Sequence, residues 1–194
     1  MIISEIVTRD VMAKAKTGSF YLTESVTLTA ADADGTRVQG EIDLGAYVNV
    51  PTGQAIAIES VDFVYQRGAA MTADLGLMLA GNGAITVQLS DLNPGTVFIR
   101  ADDQSLVASG ALNIDVTNNI GTFVTDIYPD NFGPSNLSEA FMVVNDTLYL
   151  VTGNDGAAVG AANLHITARI KARVVKLSTK DWMAIAIQST ASDN

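Results

Sequence analysis

His165 and the cations Arg169, Lys171, Arg173, Lys176 and Lys180, which follow it, are the side chains of this 194-residue chain whose types best suit chemistry. An imidazole can act as a general base near neutral pH, but it needs an orienting acceptor and a nucleophile within reach. His165 stands between Leu164 and Ile166, and nothing around it supplies either group. It therefore reads as an ordinary surface or interface histidine. The motifs GxSxG, HExxH and GxxxxGK[ST] do not occur, and cysteine is absent, so thiolate chemistry and disulfides are excluded. The stretch DADGT at 32–36 has the look of a calcium loop. An EF-hand, however, needs glycine and glutamate where Arg37 and Asp43 stand, so a turn is expected. GNGAIT (81–86) and GNDGAAVG (153–160) are glycine-rich but lie between strand patterns, which makes them loops and not phosphate cradles. The expectation is a non-enzyme with no catalytic residue, no cofactor and no metal site.

The clustered cations are the informative feature, because the chain is acidic, with a net charge of −10. Residues 17–168 hold three basic and 17 acidic side chains, a net of −14, while residues 1–16 carry +1 and residues 169–194 carry +3. An acidic body with mildly basic ends repels nucleic acid, so direct DNA or RNA binding is not expected. Charged residues make up only 16% of the chain, fewer than a well-solvated surface usually carries, which points to neighbours covering part of it. No stretch approaches 18 uninterrupted apolar residues, so no transmembrane helix is expected. The N-terminus lacks a basic start followed by an apolar run, and a chain without a cleaved leader is expected.

The elements that position these residues are strands. In LHITARIKARVVKL, Leu164, Ile166, Ala168, Ile170, Ala172 and Val174 share one face, and His165, Thr167, Arg169, Lys171 and Arg173 share the other. Successive side chains of a strand point to opposite faces, so this segment must bury its apolar set and turn three cations outward. Either carboxylates of its own sheet, with Glu41 and Asp43 as candidates, or a neighbouring subunit would neutralise them.

The same alternation runs through SFYLTESVTLTA (Phe20, Leu22, Val26, Leu28) and RVQGEIDLGAYVNV (Val38, Ile42, Leu44), and a more apolar strand is expected over QAIAIESVDFVYQ. LGLML and AITVQL flank Asn82-Gly83, a hairpin signal. TVFIR, ALNIDVT, GTFVTDIY and FMVVNDTLYLVT read as further strands, and DDQSLVASG as one or two helical turns capped by Asp102 or Asp103 and stopped at Gly110. Ile3, Val7 and Val11, at i, i+4 spacing, predict an N-terminal amphipathic helix over 2–16. Ser178, three residues before Asp181, predicts a capped C-terminal helix that takes Trp182 into its packing.

Nine or ten strands joined by Gly, Asn, Asp and Pro turns specify an all-β antiparallel sandwich. The domain plan is an N-terminal helix or arm (1–17), one sandwich (18–178) and a C-terminal helix with a tail (179–194). Amphipathic strands from Phe20 to Leu177, a short leading arm, a long final strand and a short terminal helix together resemble a viral single jelly-roll major capsid protein. In particular, the chain resembles the capsid proteins of tailless icosahedral viruses of archaea or bacteria. The resemblance implies a jelly roll of about eight strands that self-assembles in many copies into an icosahedral shell of the virion. It implies a homo-oligomeric partner, together with other capsid proteins or an internal lipid membrane. Ile3, Val7, Val11, Arg169, Lys171 and Arg173 are the candidate interface residues. The alternatives are a filament or fibre subunit, and a calcium-dependent carbohydrate-binding sandwich built on the DADG and GND loops.

Overall fold

A computed structural model of the protein describes residues 13–69, 75–125 and 140–190. Ten strands and one helix make up the regular structure of these residues: β1 (Ala13–Ala15), β2 (Phe20–Leu28), β3 (Arg37–Asp43), β4 (Gln54–Arg67), β5 (Gly83–Ser90), β6 (Leu106–Asp115), β7 (Ile120–Thr125), β8 (Phe141–Val143), β9 (Thr147–Asp155), β10 (Leu164–Leu177) and α1 (Thr179–Thr190). They form two five-stranded antiparallel sheets. In the first, β10 lies between β4 and an edge shared by β1 and β2, and β8 closes the far side of β4. The second runs β3-β9-β5-β6-β7.

The pairings are nested. β2 pairs with β10, β3 with β9, β4 with β8 and β5 with β6, all antiparallel. A chain paired in this way is one doubled ribbon whose successive strand pairs alternate between two sheets, which is the jelly roll. β1 and β7 are additions at its edges.

The interior follows from the alternation. Leu164, Ile166, Ala168, Ile170 and Ala172 of β10 are each no more than 1% exposed and pack with Ile56, Ile58, Ile85, Leu89, Leu148 and Leu150 from both sheets. Each such side chain contributes roughly 1.5–3 kcal/mol by leaving water, which makes the β4–β10 pair the centre of the core. A second, smaller cluster lies on the outward side of the first sheet. There Ala55, Ala57, Val175 and Leu177 are covered by Trp182, Ile185 and Ala186 of α1. The side chain of Ser178 accepts from the Asp181 backbone N–H at 3.2 Å and donates to its carboxylate at 2.7 Å, so the helix begins where the sequence places it.

Four local expectations are corrected. Ala13–Ala15, the described end of the expected N-terminal helix, is a strand: Ala13 lies opposite Leu177 and is buried, because the β10 edge offers unpaired backbone groups there. Residues 1–12 lie outside the described residues. The DDQSLVASG segment is not helical. It runs into β6, where Val107 and Ala108 are buried and Gly110 lies against the Phe63 ring. LGLML is a single 3-10 turn at Leu75–Leu77 followed by a lone bridge from Leu79 to Val159, so Asn82-Gly83 opens β5 without joining two strands.

TVFIR is not a strand either. The Gln88 side chain donates to the Ile99 carbonyl at 2.9 Å and accepts from its N–H at 2.8 Å, while Arg37 stacks on the Phe98 ring. A side-chain amide thus replaces the ladder and straps this segment across the outward side of the second sheet.

Gly53 joins the 3-10 turn at Val50–Thr52 to β4 with φ 67°, and a Cβ there would stand 2.6 Å from the Leu177 carbonyl oxygen. The expected cost of Gly53→Ala is about 1–3 kcal/mol. Urea unfolding measures it, and equal midpoints for the two chains would refute it.

Candidate assembly surface

The outward face of the first sheet is organised by a residue that the sequence reading passed over. Opposite β10 the register of β4 slips: Lys171 faces Ser60, but Ala172 faces Ile58, which leaves Glu59 as the extra residue of a β-bulge. The bulge turns Glu59 outward beside Lys171 and Arg173. There the Arg173 guanidinium donates to Oε1, Lys171 Nζ stands 3.3 Å from Oε2, and Ser19 Oγ lies 3.1 Å from each oxygen. The Glu59 side chain is only 3% exposed. Burial works to raise its pKa, but hydrogen bonds from Arg173, Ser19 and Lys171, with the Arg173 charge, outweigh burial and hold the carboxyl below its ordinary range.

A signal for this was present. The apolar set of β4 changes parity from Ile56 and Ile58 to Val61 and Phe63, and a strand that keeps one face buried can change parity only through a bulge.

Of the candidate interface residues, Lys171 and Arg173 are therefore committed to a carboxylate of their own sheet. Glu41 and Asp43 are not their partners, because β3 belongs to the other sheet. Arg169 is exposed; it lies opposite Asp62 and Thr23 in register, with its guanidinium 5.4 Å from the centre of the Tyr21 ring. Ile3, Val7 and Val11 lie outside the described residues. His165 Nδ1 is 2.8 Å from Thr27 Oγ1 on the outward face of the same sheet, a hydrogen bond between neighbouring strands and not a catalytic pair.

Among the described residues, large apolar side chains also reach solvent singly at Val50, Leu77 and Val97, and in pairs on α1 and β7. Met183 and Ile187 of α1 are 55% and 64% exposed on the side turned from Trp182. On β7, an edge of the second sheet among the described residues, Ile120 and Phe123 are 55% and 48% exposed, with the Phe123 ring edge-on to Tyr65 at 5.8 Å. The β7 sequence IGTFVT carries no charge.

The acidic loops do meet, at the end of the sandwich where β2 leads into β3 and β9 into β10, but their carboxylates hold the fold. Asp34 accepts from Gly156 N–H at 2.8 Å, Asp32 from Thr29 N–H at 2.7 Å, and Asp155 pairs with Arg37 at 2.5 Å. Buried Asn154 ties both loops by donating to the carbonyls of Ala33 and Ala157. Among the described residues no three His, Asp or Glu side chains are grouped as metal ligands.

At the opposite end, Asp91 is 2% exposed at the close of β5 and its Oδ1 has no hydrogen-bond partner. Burial, with a smaller contribution from the Asp103 charge, pushes its pKa up to about 7 against the pull of its backbone hydrogen bond. Its neighbour Ser105 accepts the Asp91 N–H through its carbonyl and gives both its own N–H and its hydroxyl to Asp103.

No protein-family model and no curated protein matches this chain. Among solved structures it is similar to turnip yellow mosaic virus, at 9% identity over 84% of this chain and 82% of that one, with a TM-score of 0.33. It is also similar to an unassembled KI polyomavirus VP1 pentamer (10%, 87% and 100%, TM-score 0.38). A third is the semi-empty virus-like particle of Macrobrachium rosenbergii nodavirus (10%, 88% and 97%, TM-score 0.34). The chain's own nested pairings define its fold.

Proposed function

We propose that the chain is a structural subunit that self-assembles in many copies into a closed icosahedral shell, the capsid of a virion. Jelly rolls serve as capsid, lectin and cupin domains, so the choice among these rests on the surface and interior of this one. The carrying observation is β7. An uncharged edge strand that keeps Ile120 and Phe123 in solvent is a template for another chain, and proteins that remain single blunt such edges with charge. A second copy of this chain is the natural cover. Met183 and Ile187 on α1 supply a further apolar contact, and they also favour the finer reading in which one face of the shell meets other capsid proteins or an internal lipid membrane. Packed aliphatic side chains fill the interior that a cupin would use for its ligand, and the one histidine of the chain lies outside it. The carboxylates at the loop end, which a calcium-dependent lectin would need, are engaged in turns and with Arg37.

The purified protein is expected to form large symmetric oligomers or particles in electron micrographs and sedimentation runs. Ile120→Lys, which puts a charge on the edge, is expected to leave monomers with an unchanged melting temperature. Monomers of the parent chain at every salt concentration, or full assembly of I120K, would overturn the reading.

A further inference from the structure

At the loop end of the sandwich, a cleft of about 480 Å³ opens beside the last residue of β4. Its walls include Ala31, Leu77, Leu79, Val116 and Val159, and among the described residues the one charged side chain that lines it is Arg67. Arg67 sits opposite Leu164 at the start of β10, held there by the longest strand pair of the molecule. Its Nε is buried with no acceptor, and among the described residues no carboxylate pairs with its guanidinium. This is unusual in a chain with 21 acidic and 11 basic side chains. The described carboxylates at this end are occupied: Asp32 and Asp34 cap backbone N–H groups, Asp155 holds Arg37, and Asp115 holds Asn118.

A guanidinium left without an acceptor is a planar, permanently charged donor suited to a carboxylate, which it can grip through two parallel hydrogen bonds. Among the described residues the rest of the lining offers no side chain that could orient a sugar or a base, only aliphatic surface suited to an alkyl chain. The volume falls within the ordinary range of small-molecule sites, roughly 300–1,000 Å³.

We propose that this cleft binds a single-chain carboxylate amphiphile, a medium-chain fatty acid, with its carboxylate on Arg67 and its alkyl chain along Leu77, Leu79, Val116 and Val159. Neither the shell-forming reading nor its tests depend on this site.

Titration calorimetry of the full chain with octanoate, decanoate and dodecanoate, below their micelle concentrations, tests the assignment. Affinity is expected to rise about fourfold per added methylene. Arg67→Gln is expected to weaken dodecanoate binding tenfold or more while leaving dodecanol binding unchanged, and Arg67→Lys to restore part of the loss. Leu77→Ser, at a half-exposed position of the wall, is expected to weaken all three acids alike. Saturable binding of dodecanoate but not of dodecyltrimethylammonium by the parent chain supports the assignment even if R67Q fails to fold. Absence of saturation, equal binding of the cationic amphiphile, or undiminished binding by folded R67Q would overturn it.

Discussion

Replacing Glu59 by alanine is expected to destabilise the isolated chain by about 3–5 kcal/mol, the usual cost of deleting one partner from a buried ion pair. The loss has two sources: the attraction itself, and the stranding of Lys171 and Arg173 side by side on one strand face with nothing between them. Arg173→Met, which leaves Glu59 with Lys171 and Ser19, is expected to cost less, about 1–3 kcal/mol. Arg169→Ala, at an exposed site over Tyr21, should cost under about 1 kcal/mol. Arg173→Glu sets a second carboxylate against the buried first and should be the most damaging change at β10. Because Glu59 titrates below its ordinary range in the folded chain, its contribution is present above the unfolded value of about 4.5 and is lost as pH falls through the folded one. Urea denaturation of the four variants at pH 7 and pH 3 measures this ranking. An E59A chain as stable as the parent would refute the buried node. Loss of particle formation in the Arg169→Glu, Arg173→Glu double variant, with folding intact, would place the cations between subunits instead.

Asp91→Asn is expected to act in the other direction. The folded chain holds a proton on Asp91 up to about pH 7, whereas the unfolded chain releases it near 3.8. Between those values the folded state binds the extra proton, so stability falls as pH rises, by at most about 1.4 kcal/mol per pH interval. Above pH 7 the ionised carboxylate remains buried beside Asp103 with Oδ1 unpaired. The neutral amide removes that burden. D91N is expected to be more stable than the parent at pH 8, by as much as about 4 kcal/mol, and nearly equal to it at pH 4. Thermal melts of both chains from pH 4 to 8 decide this, and parallel curves would show that Asp91 is not the titrating group. With Glu59 losing its partners below the acid range and Asp91 ionising near neutrality, the stability maximum is expected on the mildly acidic side.

The six apolar side chains from Leu164 to Val174, and the cations opposite them, were legible because strand alternation is local: one residue after another turns to opposite faces whatever lies across the ladder. The Ser178–Asp181 cap was legible for the same reason, since its donor and acceptor are three residues apart. Errors came where a distant partner decided. TVFIR has the composition of a strand, yet Gln88 reaches its backbone first. Ala13–Ala15 takes strand form because β10 has an edge to fill. Glu41 and Asp43 have the right charge for the β10 cations but lie in the other sheet. The change of parity at Glu59 was written in the order of Ile58 and Val61, while its meaning, a carboxylate between two cations, waited on the alignment of β4 with β10. The sequence by itself determined that this protein is a two-faced antiparallel sandwich with a capped terminal helix, because side-chain direction and capping are short-range. Only the tertiary structure decided which charges meet, which arginine lines an apolar cleft, and which strand lies at a sheet edge among the described residues, because β pairing is non-local and many partners satisfy the same alternation.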